Sequence, residues 1–327
     1  MKTAVVLGGG GFIGGHLAKR LKSEGYWVRC VDIKPHEYFN HEDICNDFIV
    51  GDLRNYNLVK SSLLYDNQGV NEVYQLAADM GGAGYLFTGE NDADVMHNSA
   101  LINLNILRAA HNRNCKKIFY SSSACVYPEE NQLDPNNPIC SEDSVYPANP
   151  DSEYGWEKLF SERMYLNFNK NYLFQNKVAR YHNIFGPYGT WDGGKEKAPA
   201  AICRKIASVK SGGEIEVWGN GEQTRSFLFI DECVEGTKRV MRSDSGIPLN
   251  IGSTEMVTIN QLVDIISKIA GKKISINHID GPLGVNGRNS DNSLIKKTID
   301  WEPKMPLVQG LEVTYGWIEA QVQGKKN

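Results

Sequence analysis

The chain has 327 residues, of which 41% are hydrophobic and 23% are charged, and its formal net charge is −4. This composition is typical of a globular protein with one large or two coupled domains. Lysines and arginines are scattered rather than gathered into the basic stretch that nucleic-acid binding uses, and no segment approaches the roughly 18 apolar residues of a membrane span. We therefore expect neither nucleic acid nor a membrane as a partner.

The cysteines and the start of the sequence bear on the cellular compartment. The seven cysteines are odd in number and show no CxxC spacing, which indicates free thiols and not a disulfide framework. The first residues run directly into an apolar stretch and a glycine cluster, without the features of a secretory signal. A cytoplasmic protein is expected.

Short apolar runs alternate with helical patterns from the start of the chain to about residue 180. The clearest helices are predicted at 95–113 and 154–169. This alternation predicts βαβ units and hence an α/β fold with a doubly wound parallel sheet of the Rossmann type. Strands are predicted at Thr3–Leu7, Trp27–Asp32, 48–50, 72–77, 117–122 and Lys177–Tyr181.

The pattern changes after residue 185, where glycine and proline become frequent. Further helices are predicted at 200–208, 259–270 and 311–321. We expect two domains. Residues 1–185, to which 227–252 return, are expected to form a Rossmann-type domain. Residues 186–226 and 253–327 form a second, smaller, mixed α/β domain for the substrate.

A glycine motif predicts the cofactor. Gly8, Gly11 and Gly14 follow the first strand and lead into a helix, the arrangement that lets a pyrophosphate approach the backbone at a helix N-terminus. Asp32 ends the second strand, where its carboxylate can accept hydrogen bonds from a ribose and would repel a 2′-phosphate. NAD is therefore favoured over NADP. The predicted cofactor site also contains Phe12, Ile13, and Asp52 and Leu53 after the third strand.

A second group of residues predicts redox chemistry at a sugar. Tyr154 and Lys158 are four residues apart and share one face of a helix. A nearby ammonium favours the phenolate and so is expected to lower the pKa of the tyrosine. Such a tyrosine can take a proton from a sugar hydroxyl while hydride leaves for the nicotinamide, so both residues also count as cofactor contacts. Ahead of them, "SSSACVYP" crowds hydroxyls and a thiol at a strand end, as in an active site.

Two other patterns are rejected as sites. Gly189, Gly194 and Lys195 have phosphate-loop spacing, but Glu196 stands where a Ser or Thr must bind magnesium. His36 and His41 lie among acidic residues without any metal-ligand spacing. No metal site is expected.

Taken together, these residues resemble the extended short-chain dehydrogenase/reductase superfamily that acts on nucleotide sugars. The matching positions are Gly8, Gly11, Gly14, Asp32, the "LAAD" segment that contains Ala77, Ser123, Tyr154 and Lys158. Ala77 is thereby added to the cofactor site. The chain departs from the superfamily at Leu7, where Thr or Ser is usual, which affects one local hydrogen bond.

A narrower resemblance, to the GDP-mannose 3,5-epimerase family, extends over essentially the full length. It is carried by "LAADMGGAG", "SSACVYPE", "YGWEK", "RYHNIFGPYGTW", "KAPAAICRK", "WGNGEQTRSFLFIDECVEG", "NIGSTEMVTINQL" and "GVNGRNSDN". It implies an isomerase that uses NAD to convert GDP-D-mannose to GDP-L-galactose through a 4-keto intermediate, with GDP-L-gulose, the 5-epimer, as a second product.

The resemblance also implies roles for single residues. Ser123, Cys125, Tyr154, Lys158 and Lys197 would be catalytic. The substrate would be held by Gly81, Ser123, Cys125, Asn183, Glu196, Lys197, Ala198, Lys205, Gln223, Arg225 and Arg288. For Arg288 a solvated surface charge is the alternative.

Chemistry independently supports the pair formed by Cys125 and Lys197. Oxidation at C4 acidifies C3 and C5, and inversion then needs one group to remove a proton and another to return one from the opposite face. A cysteine beside a cation is easily deprotonated, and the pKa of a lysine falls in a partly desolvated site.

The resemblance implies a homodimer joined through the helices at 95–113 and 154–169. The apolar residues of the first helix leave ordinary core packing open as an alternative: Leu101, Ile102, Leu104, Ile106 and Leu107.

Three other functions are weighed. An epimerase-reductase of GDP-4-keto-6-deoxymannose uses NADPH and has His in place of Lys197, so Asp32 and Lys197 argue against it. Another GDP-sugar epimerase or mutase on this scaffold would share the chemistry at C4 and stays open. A binding protein without activity would be expected to lack Tyr154 or Lys158, and both are present.

Overall fold

A computed structural model describes residues 1–326. The helices are α1 (Phe12–Ser23), α2 (His41–Ile44), α3 (Tyr56–Ser62), α4 (Ala83–Leu86), α5 (Asp92–Arg113), α6 (Glu153–Tyr172), α7 (Ala198–Ser208), α8 (Ile230–Arg242), α9 (Ile259–Ile269), α10 (Ser293–Ile299) and α11 (Leu307–Lys326). Short 3-10 helices lie at Ala124–Val126, Glu129–Gln132 and Glu142–Val145.

The strands alternate with these helices over the first part of the chain. They are β1 (Thr3–Leu7), β2 (Trp27–Asp32), β3 (Asp47–Val50), β4 (Leu64–Tyr65), β5 (Gln68–Gly69), β6 (Glu72–Gln75), β7 (Ile118–Ser123), β8 (Lys177–Tyr181), β9 (Ile184–Phe185), β10 (Glu214–Trp218), β11 (Thr224–Ser226), β12 (Leu228–Phe229), β13 (Leu249–Ile251), β14 (Met256–Thr258), β15 (Ser275–Ile279) and β16 (Gly287–Arg288).

Within residues 1–326, seven strands form one parallel sheet in the order β13-β8-β7-β6-β1-β2-β3. The order reverses at β1, where β2 and β6 pair on either side: Leu7 lies opposite Val31 and Gln75. Such a switch point is where ligands bind in open α/β sheets. The predicted fold class, an α/β protein with a doubly wound Rossmann-type sheet, is confirmed.

The sheet is covered on both faces, which explains its continuous apolar strands. Ala4 and Val6 of β1 belong to one hydrophobic cluster, and Val5 and Leu7 to another, because successive strand residues point to opposite faces. Helices α1 and α8 contribute to the first cluster, and α3, α5 and α6 to the second.

The part of the chain after the main sheet strands builds smaller elements beside the carboxyl edge. Helices α7, α9 and α11 pack against one another. Strands β10 and β15 form a parallel pair, and β11 lies between β14 and β16. Strand β13 returns to the main sheet beside β8.

Helix α8 is the largest element that the sequence did not predict. Gly236 interrupts its helical pattern, and a glycine inside a helix is unfavourable by about 1 kcal/mol relative to alanine. In the fold this glycine lets α8 approach Trp301, since a Cβ at Gly236 would lie 2.7 Å from the Trp301 ring. The predicted helices occur with shifted ends, most of all the last one, which begins at Leu307.

In the described residues, no helix is both long enough and apolar enough to cross a membrane.

Candidate active site

The glycine motif forms a tight backbone cradle between β1 and α1. Gly8 adopts a φ of +90°, a conformation that side chains disfavour. A Cβ at Gly14 would overlap the carbonyl oxygen of Gly8, so only glycine allows this approach. Gly11 caps α1 without a side-chain hydrogen bond. Free backbone donors at a helix N-terminus suit a diphosphate, so the cradle fits a dinucleotide. Phe12 and Ile13 open the first turn of α1.

The other predicted cofactor residues follow neighbouring strands at the same edge of the sheet. Asp32 ends β2, and its Oδ2 accepts a hydrogen bond from Gly10 N at 2.9 Å. Burial raises the pKa of Asp32. Asp52 follows β3, but Arg54 holds its carboxylate, with Nη2 2.6 Å from Oδ2, and lowers its pKa. Leu53 is buried, and Ala77 follows β6.

A cavity of about 530 Å³ opens beside this edge. Every predicted substrate residue lines it: Gly81, Ser123, Cys125, Asn183, Glu196, Lys197, Ala198, Lys205, Gln223, Arg225 and Arg288. Tyr154 lines it as well. Of the predicted catalytic residues, only Lys158 lies behind the wall.

The turn after β7 explains the crowded "SSSACVYP" segment. The Oγ of Ser123 accepts a hydrogen bond from the backbone N–H of Cys125 at 3.2 Å and so caps the 3-10 turn that follows. The first turn of α6 lies directly against this turn, because a Cβ at Gly155 would overlap the carbonyl oxygen of Cys125. Gly155 therefore allows Tyr154 to approach Ser123 and Cys125.

Lys158 lies one turn behind Tyr154 on α6 and is buried. Its Nζ donates to the carbonyl oxygen of Ser121 at 2.8 Å and lies 5.6 Å from the centroid of the Tyr154 ring. Burial raises the pKa of Tyr154 and lowers the pKa of Lys158. The predicted lowering of the Tyr154 pKa is therefore wrong, because burial dominates and the charges of Cys125 and Glu157 add to the rise.

Lys197 and Arg225 carry positive charge into the cavity. Lys197 keeps accessible surface inside the cavity, yet the enclosing walls remove enough water to lower its pKa. It is also the N-cap of α7, where the helix dipole disfavours a cation. Arg225 donates to the backbone carbonyls of Leu283 and Val285. Burial, assisted by repulsion from Arg288, lowers the pKa of Arg225 to about 10.

Arg288 is not a solvated surface charge. It is 5% exposed and pairs with Asp151, with Nη2 2.6 Å from Oδ2. Its Nη1 donates to the sulfur of Cys125 at 3.2 Å. Burial disfavours the charged guanidinium, but Asp151 and Cys125 outweigh that effect and raise the pKa of Arg288.

The sequence did not single out several residues in or next to this cavity. Asp151 lies just ahead of α6 and Gln132 ends a 3-10 helix, and nothing in their local sequence signals a contact with Arg288. The apolar wall also went unnoticed: Met80, Leu86, Phe87, Trp218 and Leu283.

His36, rejected as a metal ligand, has a structural role. Its Nδ1 accepts hydrogen bonds from the backbone N–H groups of Tyr38 and Phe39, and burial lowers its pKa to about 4. Among residues 1–326 no group of three or more His, Cys, Asp or Glu side chains could hold a metal ion.

Comparison with known proteins decides the family. Residues 4–252 match the NAD dependent epimerase/dehydratase family. The chain belongs to this family. It is 46% identical to a GDP-mannose 3,5-epimerase of Arabidopsis thaliana over 321 residues, 98% of this chain and 83% of the relative. The resemblance identified in the sequence is confirmed, and so are the epimerase class and NAD as the cofactor at the level of the family.

Solved structures agree on the fold. A UDP-glucose 4-epimerase of Thermotoga maritima superposes on this chain with a TM-score of 0.85 and is 24% identical in sequence. The superposition covers 98% of this chain and 100% of the Thermotoga chain. A UDP-glucuronic acid 4-epimerase of Bacillus cereus, solved with UDP-glucuronic acid and NAD, has a TM-score of 0.81 and 26% identity over 98% of this chain and 100% of its own.

Proposed function

We propose that this protein epimerises GDP-D-mannose at C3 and C5 to GDP-L-galactose, with GDP-L-gulose as the 5-epimer product, through a 4-keto intermediate. The observation that carries the proposal is a single cavity lined by Ser123 and Tyr154, which serve oxidation, and by Cys125 and Lys197, which a simple dehydrogenase does not need. The 46% identity to GDP-mannose 3,5-epimerases supports the choice of substrate.

The first step is oxidation at C4. The glycine cradle and Asp32 would hold NAD, which supplies a hydride acceptor and returns the hydride at the end. Tyr154 takes the proton from the C4 hydroxyl, and Ser123 beside it orients that hydroxyl. Lys158, 5.6 Å from the Tyr154 ring, favours the phenolate form.

The second step is inversion. The C4 ketone acidifies the neighbouring carbons, so that a side chain can remove a proton from C3 or C5. Cys125 and Lys197 serve as the acid and base on opposite faces of the sugar. The lowered pKa of Lys197 increases the fraction of neutral amine, the form that accepts a proton.

Arg225 and Lys205 are the candidates for holding the GDP portion. Arg225 is enclosed and lines the cavity. Its hydrogen-bond partners in the described residues are backbone carbonyls and not carboxylates, so its positive charge is not neutralised by a neighbouring negative charge. A guanidinium fork in that state suits a diphosphate. Lys205 lines the same cavity.

The function is tested by incubating purified protein with NAD and GDP-mannose in D₂O and resolving the GDP-hexoses. We expect GDP-L-galactose with deuterium at both C3 and C5. A single labelled carbon, or a different sugar, would instead indicate another epimerase or mutase on this scaffold.

Cofactor choice gives a separate prediction. Asp32 is expected to make NAD bind tighter than NADP, because two like charges ~4 Å apart near a protein surface repel by about 4 kcal/mol. Asp32→Ala should lower the ratio of NAD affinity to NADP affinity by about tenfold or more. Titration of both cofactors measures it, with Asp47→Ala as the control, since Asp47 pairs with Arg29 away from the glycines. Equal affinity of the unaltered protein for NAD and NADP would contradict the prediction.

We further propose a homodimer through α5 and α6. The apolar residues of α5 fall into two groups. Ile102, Ile106 and Leu107 are buried in the core, whereas Leu104 is 48% exposed. The exposed apolar surface of these two helices also includes Met96, Trp156 and Phe160. A groove there is lined by Ala93, Met96, His97, Ala100, Glu157 and Phe160. Apolar surface of this kind, on two adjacent helices, suits a second copy of the same surface.

Light scattering at micromolar concentration is expected to give the mass of a dimer for the unaltered protein and the mass of a monomer for Phe160→Asp. Val313→Asp is the matched control, because Val313 is 51% exposed on α11, away from this surface. A monomeric unaltered protein would refute the dimer.

The domain boundaries at 185, 226 and 252 and the cytoplasmic location stay predictions. All seven cysteines are free and buried, which supports a reducing compartment.

A further inference from the structure

Arg288 is held by three partners from three separate segments. Its Nε donates to Gln132 Oε1 at 2.6 Å, its Nη2 to Asp151 Oδ2 at 2.6 Å, and its Nη1 to Cys125 Sγ at 3.2 Å. The guanidinium therefore bridges a carboxylate and the sulfur, and its planar fork fixes the direction of each hydrogen bond.

The carboxylate of Asp151 keeps this cation in place. The side chains of Arg288 and Asp151 are 7% and 4% exposed, so the ion pair is largely removed from water. A buried guanidinium that loses its carboxylate is left uncompensated and tends to move toward water. The nearby accessible volume is the substrate cavity, which both residues line. Asp151 therefore decides whether Arg288 stays against the sulfur.

The contrast with Arg225 shows that the cavity uses its two arginines differently. Arg225 donates to backbone carbonyls and has no carboxylate among its hydrogen-bond partners in the described residues. Arg288 has a carboxylate, an amide oxygen and a thiol sulfur. The first arrangement leaves charge available for a ligand, whereas the second orients a neighbouring side chain.

We propose that Asp151 is a positioning residue for proton transfer at the sugar, acting through Arg288 on the sulfur of Cys125. The inference rests on the proposed function, in which Cys125 is one of the two acid–base groups. The fork keeps the sulfur at a defined position in the cavity wall, and its N–H donor is a suitable partner for a thiolate, the form that removes a proton.

The test uses Asp151→Asn, which preserves shape and removes the charge. At saturating GDP-mannose, deuterium uptake at C3 and C5 should fall by about 10²-fold, the cost typical of a catalytic group misplaced by about 1 Å. Transient NADH formation and the KM for GDP-mannose should stay near those of the unaltered protein. Arg288→Lys, which keeps the charge but loses the fork, should likewise lower deuterium uptake at C3 and C5 while transient NADH formation persists. A raised KM with normal uptake at saturation would mean that the pair holds substrate, which overturns the proposal.

Two further measurements separate this role from plain loss of stability and from failure of the proposed function. Glu162→Gln breaks a similarly buried ion pair, the one between Glu162 and Arg180. Both of these side chains are 3% exposed, and neither lines the cavity. This variant should lower the melting temperature but leave the ratio of inversion to C4 oxidation unchanged. The second measurement is the rate at which iodoacetamide modifies Cys125 in protein without substrate, determined by peptide mass analysis. This rate should be lower in Asp151→Asn than in the unaltered protein. An unchanged rate overturns the proposal, whatever the substrate.

Discussion

Replacing Tyr154 by phenylalanine is expected to abolish transient NADH formation and deuterium uptake at C3 and C5 together. In the proposed mechanism the Tyr154 hydroxyl, which lines the cavity, takes the C4 proton, and without the ketone neither neighbouring carbon becomes acidic. The loss should therefore be larger than the effect of removing either inversion group alone. Absorbance of NADH in a single turnover and mass analysis of recovered GDP-hexoses measure the two losses.

Tyr165→Phe is the matched control for this experiment. Tyr165 is a fully buried tyrosine of the same helix, stacked on Tyr120 and bonded to Asn103, and it does not line the cavity. Its loss should affect stability without removing C4 oxidation. Near-normal deuterium uptake in Tyr154→Phe would mean that inversion does not require prior oxidation at C4, and the mechanism would then be wrong.

Cys125→Ser and Lys197→Ala are each expected to lower epimerisation by about 10²–10⁴-fold, the contribution typical of a general acid or base. Both variants should still bind NAD and form NADH transiently, because Tyr154, Lys158 and Ser123 are intact. A hydroxyl at position 125 keeps the shape of the thiol but is far less acidic, so the serine variant separates chemistry from packing. Deuterium uptake at C3 and C5 reports which inversion is lost.

Matched controls exist for both groups. Cys115→Ser alters a buried thiol that lies in a separate hydrophobic cluster, and Lys195→Ala removes an exposed ammonium two residues before Lys197. Neither lines the cavity, and both variants should epimerise normally. If Cys125→Ser or Lys197→Ala labels both carbons as the unaltered protein does, then the acid–base pair lies elsewhere and the thiol of Cys125 only packs.

Features that depend on local spacing could be predicted from the order of the amino acids. Gly8 has a backbone angle that favours glycine, and Gly14 lies too close to the Gly8 carbonyl oxygen to carry a Cβ, so the spacing of the motif alone predicted the cradle. Tyr154 and Lys158 share a helical face because they are four residues apart. The matching strings identified the family and the predicted substrate residues, all of which line the cavity.

How these residues affect one another depends on contacts that form only when the chain folds. Asp151 and Arg288 are 137 residues apart, and Cys125 and Arg288 are 163 apart, so no periodicity could bring them together. The raised pKa of Tyr154 has the same origin, because desolvation depends on every segment packed around the phenol, whereas the sequence displays only the lysine one turn away. Helix propensity and motif spacing act within a few residues, while burial and long-range ion pairs exist only once the sheet and its helices have packed.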